Sequence, residues 1–202
     1  MTTRLLYLAR HGEQDPAATD SGLSERGRRQ ARLLGERLRG LPFAAVHHGP
    51  LCRAAQTAEL VAASLPGVPV YATELAGDHL PHDTPPAGLS PAYVSFLARF
   101  SAAQRIDGPQ VTAAAVRRFT GPPEGAEPIR ELVVTHNFLI AWLVRHALAA
   151  PERRWLGLNQ HNAGLTVIRY SAAGPPNLIA FNDVAHLPPE LRGTGLPSDY
   201  LV

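Results

Sequence analysis

At 202 residues, 45% of them apolar and 18% charged, the chain has the size and balance of an ordinary globular protein with room for one substantial core. Its 19 basic residues are all arginine, which removes the lysine that a Walker phosphate loop, a Schiff base or Ser-Lys chemistry requires. The net charge of +2 is spread from Arg4 to Arg192 in nothing denser than pairs such as Arg28-Arg29, so there is no concentrated footprint for nucleic acid.

The opening apolar run, residues 5–9, is far below the roughly 18 residues of a membrane span and too short for a secretory signal. Cys52 is the single cysteine and cannot form an internal disulfide. These features point to the cytoplasm and to no membrane partner. The same run ends at Arg10-His11-Gly12-Glu13 and reads as a buried strand feeding a loop. A Pro/Gly/Asp/Ser loop over 15–22 follows. Ser24 is then placed to N-cap a helix with Ala31, Leu34, Gly35 and Leu38 on one face, stopping near Gly40-Leu41-Pro42. Residues 43–46 form a second short strand. After Gly49-Pro50 a helix carries Ala54, Ala58, Val61, Ala62 and Leu65, and 68–71 is a third strand.

From 73 to 91 the pattern dissolves into Gly, Pro, His and Asp and reads as an excursion over the surface. Residues 91–100 and 111–119 look helical, separated by Asp107-Gly108-Pro109, with a loop over 121–128. A β-branched strand, 132–135, leads into His136-Asn137 and an apolar helix, 138–148. Closing strands are expected at 165–170 and 178–181, with an extended Pro-rich tail after His186. Alternating strands and helices with no dividing linker predict a single domain: a three-layer α/β/α sandwich around a mostly parallel sheet.

His11 and His136 each directly follow a strand, and ligands of such sheets bind at the strands' carboxyl ends. Arg10 precedes the first histidine and Arg53 opens the second helix. Guanidinium groups beside strand-end imidazoles suit a doubly charged phosphate, because they offer forked, permanent donors. Rival constellations are weaker. Asp78, His79, His82 and Asp83 are the one group resembling a metal site, but a Pro-rich stretch gives them no regular spacing, so no metal and no cofactor is assigned. A cysteine phosphatase needs an arginine six positions after its thiolate, where Ala58 stands, so Cys52 reads as a small buried residue. Gly22-Leu23-Ser24-Glu25-Arg26 lacks the final glycine of a serine-hydrolase elbow. His47 and His48 are expected at the surface.

Four blocks together resemble the histidine phosphatase superfamily, also called phosphoglycerate-mutase-like. They are Arg10-His11-Gly12-Glu13; Leu23-Ser24-Glu25-Arg26-Gly27 with Gln30-Ala31 and Leu34-Gly35; Leu51-Cys52-Arg53-Ala54-Ala55-Gln56-Thr57-Ala58; and Val133-Val134-Thr135-His136. The resemblance implies that His11 is a nucleophile forming a phosphohistidine, with Arg10, Arg53 and His136 on the phosphoryl oxygens, without a metal. The function it implies is hydrolysis of phosphate monoesters, with mutase-type transfer or a non-catalytic phosphate-binding role as alternatives. The substrate is a phosphorylated small molecule or a phosphoprotein. The family's acid, a glutamate shortly after the third strand, has no residue in register: the usual position falls on Gly77. Asp78, one residue later, is favoured over Glu74. Further departures are Gly49 where many relatives carry Ser, Gln14 where Thr is frequent, and Asn137 where Gly is common. Gln14 and Asn137 are assigned to phosphate binding, with helix capping as the competing role for Asn137. The Pro-rich loop after the acid also resembles the mitochondrial protein-serine/threonine phosphatase branch. Trp155 and the 138–148 helix are offered as a homodimer surface.

Overall fold

In the computed structural model, which describes residues 2–17, 21–125 and 127–195, the first apolar run becomes β1 (Thr3–Arg10), an inner strand of one six-stranded sheet. The others are β2 (Ala45–His48), β3 (Val70–Ala72), β4 (Ile129–Thr135), β5 (Leu165–Ser171) and β6 (Gly174–Asp183), in the spatial order β3-β2-β4-β1-β5-β6. The first four strands in that order run parallel, and the β5–β6 hairpin is added antiparallel to β1. Arg10 pairs with Thr135 at the last rung of β1–β4, so the chain leaves two neighbouring parallel strands side by side at His11 and His136.

Both faces of the sheet are covered, which is why its inner strands read as continuous apolar runs. Leu132 and Val134 pack with Leu34 and Leu38 of α1 (Glu25–Leu38) and with Ala58 and Val61 of α2 (Cys52–Ala62). On the other face Leu6, Leu8, Val133 and Ile168 pack with Phe119 of α4 (Ala102–Phe119) and with Leu139, Ile140 and Leu143 of α5 (Asn137–Ala147). Burial of each such leucine contributes roughly 2 kcal/mol. The architecture is the expected three-layer α/β/α sandwich.

Four expectations change. The helix around Asp107-Gly108-Pro109 is not interrupted: α4 runs through it from a Ser101–Gln104 capping box. A proline inside a helix clashes with the Cβ of the residue before it, and Gly108 has none. The 73–91 excursion is partly core, since Ala76, Leu80 and Thr84 are buried, and Leu80 packs with Leu97 of α3 (Pro91–Leu97), Trp142 and Trp155. The segment after His186 is not simply extended. It forms a 3-10 turn at Pro189–Leu191 and returns to the site through Leu187 and Leu191, both buried; residues 196–202 of the expected tail, and 18–20 of the 15–22 loop, lie outside the described residues. The proposed dimer surface also loses its basis. Trp155 is 2% exposed, and Leu139, Ile140 and Leu143 are core residues of this chain.

Candidate active site

The loop after β1 is held in place by α1 before any ligand is considered. Ser24 caps α1 by accepting from Gly27 N (3.0 Å) and donates to Glu13 Oε1 (3.0 Å). Gly27 lies so close that a β-carbon there would sit 2.1 Å from Glu13 O, so only glycine fits. Gln30, one turn on, accepts from Glu13 N (2.8 Å) and donates to Leu191 O (2.7 Å), tying loop, helix and C-terminal segment together. Gly12 N donates to Thr57 Oγ1 (3.0 Å), and His11 N to Thr135 O (2.9 Å).

This frame fixes the state of the His11 ring. Its Nδ1 lies 2.7 Å from Gly12 O, which can only accept, and its Nε2 lies 3.2 Å from Arg53 Nε, which can only donate. The proton is therefore on Nδ1, and Nε2 carries a lone pair. Burial, then the neighbouring His136 and Arg10, push the His11 pKa well below its ordinary 6.5, so the ring is neutral near pH 7. His136 lies with its ring centroid 4.9 Å away and is depressed likewise, by burial, then Arg53 and Arg10.

Arg53 is the hub. Beyond His11, its Nη2 donates to Asp78 Oδ2 (2.9 Å) and approaches His136 Nδ1 (3.3 Å). Arg10 is aimed by two backbone carbonyls, Gln160 O and Thr194 O, the latter 2.7 Å from Nη1. Burial lowers its pKa to about 10, which still leaves it cationic near neutrality. Asp78 stands at the rim with its side chain 32% exposed; partial burial pushes its pKa up, against the pull of Arg53 and Arg10.

Arg10, His11, Gln14, Arg53 and Asp78 thus line one cavity of about 680 Å³, with Glu13, Asp15 and Asn162. His136 is buried behind it, joined through Arg53. Asn137 is not brought into the cavity, and it is not the cap of α5, a place taken by His136. Its amide is spent on another loop, Nδ2 on Leu158 O (3.2 Å) and Oδ1 on Gln160 N (2.9 Å). Glu74 lies in a 3-10 turn, Glu74–Ala76, outside the cavity lining.

Sequence reasoning missed several supports. Thr57 had a signal, one helical turn after Arg53, whose carbonyl it also accompanies at 2.7 Å. Gln30 was noted only as part of a family block. Asn162, which donates to His11 O (3.2 Å), Gln160 and Thr194 act through backbone groups far away in sequence and carried no signal. The metal candidates disperse to separate partners: Asp78 to Arg53, His79 to Glu74 O, His82 to Glu152 and Asp83 to Arg105. His47 is buried against Glu131 rather than exposed, and Cys52 is half-buried.

The sequence model of the histidine phosphatase superfamily, branch 1, matches residues 6–76 and 111–184. The mitochondrial serine/threonine-protein phosphatase Pgam5 of Caenorhabditis briggsae is 28% identical over 195 residues, and that of Homo sapiens 29% over 198; each alignment covers 93% of this chain. The chain spans 65% of the length of both relatives. Among solved structures, mycobacterial glucosyl-3-phosphoglycerate phosphatase aligns with a TM-score of 0.66 at 23% identity, covering 89% of this chain and 99% of its own. Phosphoglycerate mutase from Plasmodium falciparum aligns at 0.64 and 20%, covering 93% and 96%. The fold is phosphoglycerate-mutase-like. The cytoplasmic expectation is overturned, because these Pgam5 relatives are mitochondrial proteins. A short apolar opening and a single cysteine do not discriminate between aqueous compartments. Among the described residues no helix is long and apolar enough to cross a membrane. With its model matched across both halves of the sheet and both histidine-bearing strands, the chain belongs to the histidine phosphatase superfamily, branch 1.

Proposed function

We propose that the chain hydrolyses phosphate monoesters by in-line transfer of the phosphoryl group to His11 Nε2, followed by attack of water on the phosphohistidine. The observation that carries this reading is the ring state of His11, with Nδ1–H committed to Gly12 O and a neutral lone pair on Nε2 beside Arg53. In the first step the N–P bond forms as the ester P–O bond breaks, and the leaving alkoxide takes a proton from Asp78. In the second, the Asp78 carboxylate takes a proton from water, the new P–O bond forms, and phosphate leaves as the N–P electrons return to His11. Burial raises the Asp78 pKa above that of an ordinary aspartate, against the pull of Arg53 and Arg10, which is the direction a proton donor needs. Arg10, Arg53 and His136 share the charge on the equatorial oxygens, where fixed donors contribute most. The two guanidiniums supply the positive charge the transition state needs, so the reaction is written without a metal or cofactor.

The substrate proposed is a phosphoprotein or a phosphorylated small molecule, and the serine/threonine-protein phosphatase relatives favour the former. The test is incubation with labelled phosphate esters and recovery of an acid-labile, base-stable phosphoenzyme. It is expected in the wild type and absent in His11→Ala. Turnover that persists in the variant overturns the reading. Release of inorganic phosphate, rather than transfer to an added phosphoglycerate, separates hydrolysis from mutase activity.

A further inference from the structure

Gly49 follows β2, and its amide donates to Val134 O (3.2 Å). A β-carbon at this position would lie 2.3 Å from Ala76 O and 3.3 Å from His136 Nε2, so it overlaps the carbonyl deeply and only crowds the imidazole. Carbon and oxygen in contact rest at about 3.3–3.6 Å, so any side chain here displaces the Ala76 carbonyl by about 1 Å. That carbonyl is a fixed point. It accepts a hydrogen bond from Thr135 Oγ1 at 2.7 Å, and both residues are fully buried. The turn it belongs to is rooted in the sheet through Thr73 N to His48 O (2.9 Å). It is closed by Ala76 N to Thr73 O (3.2 Å) and Gly77 N to Glu74 O (3.0 Å). On its outer side His79 Nε2 lies 3.2 Å from Glu74 O. Asp78 is two residues beyond Ala76, so a shift of the carbonyl is carried directly to the carboxyl that meets Arg53 at 2.9 Å.

The geometry points to Gly49 and Thr135 as positioning residues for the proton donor: an absent side chain at 49 and a hydroxyl at 135 seat the turn that carries Asp78. This rests on the reading of Asp78 as the acid. Misplacing a reacting group by about 1 Å costs on the order of 10²-fold, and protonation by a placed acid is worth 10² to 10⁴-fold. The need for that proton depends on the leaving group. An alkoxide cannot depart without it, whereas p-nitrophenolate can.

The experiment compares kcat/KM for glycerol 2-phosphate and p-nitrophenyl phosphate, a quantity that reports steps up to phosphoryl transfer. Gly49→Ala is expected to lower it by about 10 to 100-fold on the alkyl ester and by at least about tenfold less on the aryl ester, where only the methyl's crowding of His136 Nε2 is felt. Thr135→Val, nearly isosteric, moves both in the same direction by less and carries the test if Gly49→Ala does not fold. In an Asp78→Asn background neither substitution lowers the alkyl-ester value by more than it lowers the aryl-ester value, because there is no acid left to misplace. Equal loss on the two esters, or full additivity with Asp78→Asn, overturns the inference. Failure of the underlying reading is distinguishable: no phosphoenzyme from p-nitrophenyl phosphate in the wild type, or no leaving-group dependence in Asp78→Asn itself.

Discussion

β4 carries two clusters of arginine, histidine and carboxylate, and they are built to opposite ends. Near its start, Glu131 is 2% exposed and meets Arg4 Nη1 (2.5 Å), Arg118 Nη2 (2.8 Å) and His47 Nε2 (3.2 Å). Burial works against its charge, but the His47 and Arg118 bonds overcome it and hold the pKa at about 2. Four residues on, roughly 13 Å along the strand, the chain reaches Thr135 and His136, buried behind the cavity. There Arg10 and Arg53 meet the partly exposed carboxyl of Asp78, the histidines are driven below their ordinary pKa, and among the described residues Arg10 Nε and His136 Nε2 are buried without a hydrogen-bond partner. Where donors and acceptors match, the cluster stabilises the fold. Where donors are left unmatched, as at Arg10 Nε and His136 Nε2, the site has hydrogen bonds to offer a ligand.

Breaking each cluster separates these roles. His11→Asn is expected to reduce turnover of p-nitrophenyl phosphate by at least about 10⁴-fold, the scale of losing a nucleophile, while the urea midpoint changes little. Glu131→Ala is the reverse case. Removing one partner of a buried ionic cluster costs about 3–5 kcal/mol, read by urea unfolding, with kcat per folded molecule within about threefold because sites this far apart act independently. A collapse of kcat with unchanged stability in Glu131→Ala would erase the distinction.

How much of this was legible in the sequence follows from the range of each interaction. His11 and His136 sit one residue past strands whose apolar runs are self-evident, and parallel pairing of β1 with β4 puts them together by topology alone. Arg53 and its helix were legible for the same local reason. Asp78 was legible only as one residue out of register, and its placement depends on the Gly49–Ala76 approach, which no local pattern encodes. Asn137 was misread because its partners, Leu158 and Gln160, are backbone groups in a loop with no periodicity. His47 was misread because burial of a charge cluster depends on Arg4, Arg118 and Glu131 arriving from three other elements.

Acid titration probes the same contrast with a smaller effect. Above pH 6.5 the His11 ring is neutral in folded and unfolded chains alike. Below it the unfolded chain takes up a proton that the native site refuses, so stability falls as pH drops, by up to about 1.4 kcal/mol per pH unit for each such histidine. Glu131 acts in a separate window. Its stabilisation, on the order of 3 kcal/mol, is complete above 4.5 and lost as pH falls through about 2. Urea unfolding of wild type and His11→Asn between pH 7.5 and 5 is expected to give curves that separate as pH falls below 6.5, the wild type falling more steeply. Parallel curves would mean that the imidazole is not held neutral.

The smallest effect tests how the Arg10 guanidinium is aimed. Asn137 holds Gln160 N and Leu158 O, and the carbonyl of Gln160 in turn holds Arg10 Nη1, so the amide acts on the proposed phosphate site at one remove. Asn137→Ala leaves the Arg10 charge in place but loosens the loop that directs it. Binding of ground state and transition state should then weaken together, which raises KM and leaves kcat nearly unchanged. A three- to tenfold rise in KM, with the same rise in the inhibition constant of inorganic phosphate, corresponds to about 1 kcal/mol, the worth of an ordinary hydrogen bond. A loss of a hundredfold or more in kcat would instead require the amide to touch the reacting phosphoryl group, and the loop contacts seen here would have to give way when substrate binds.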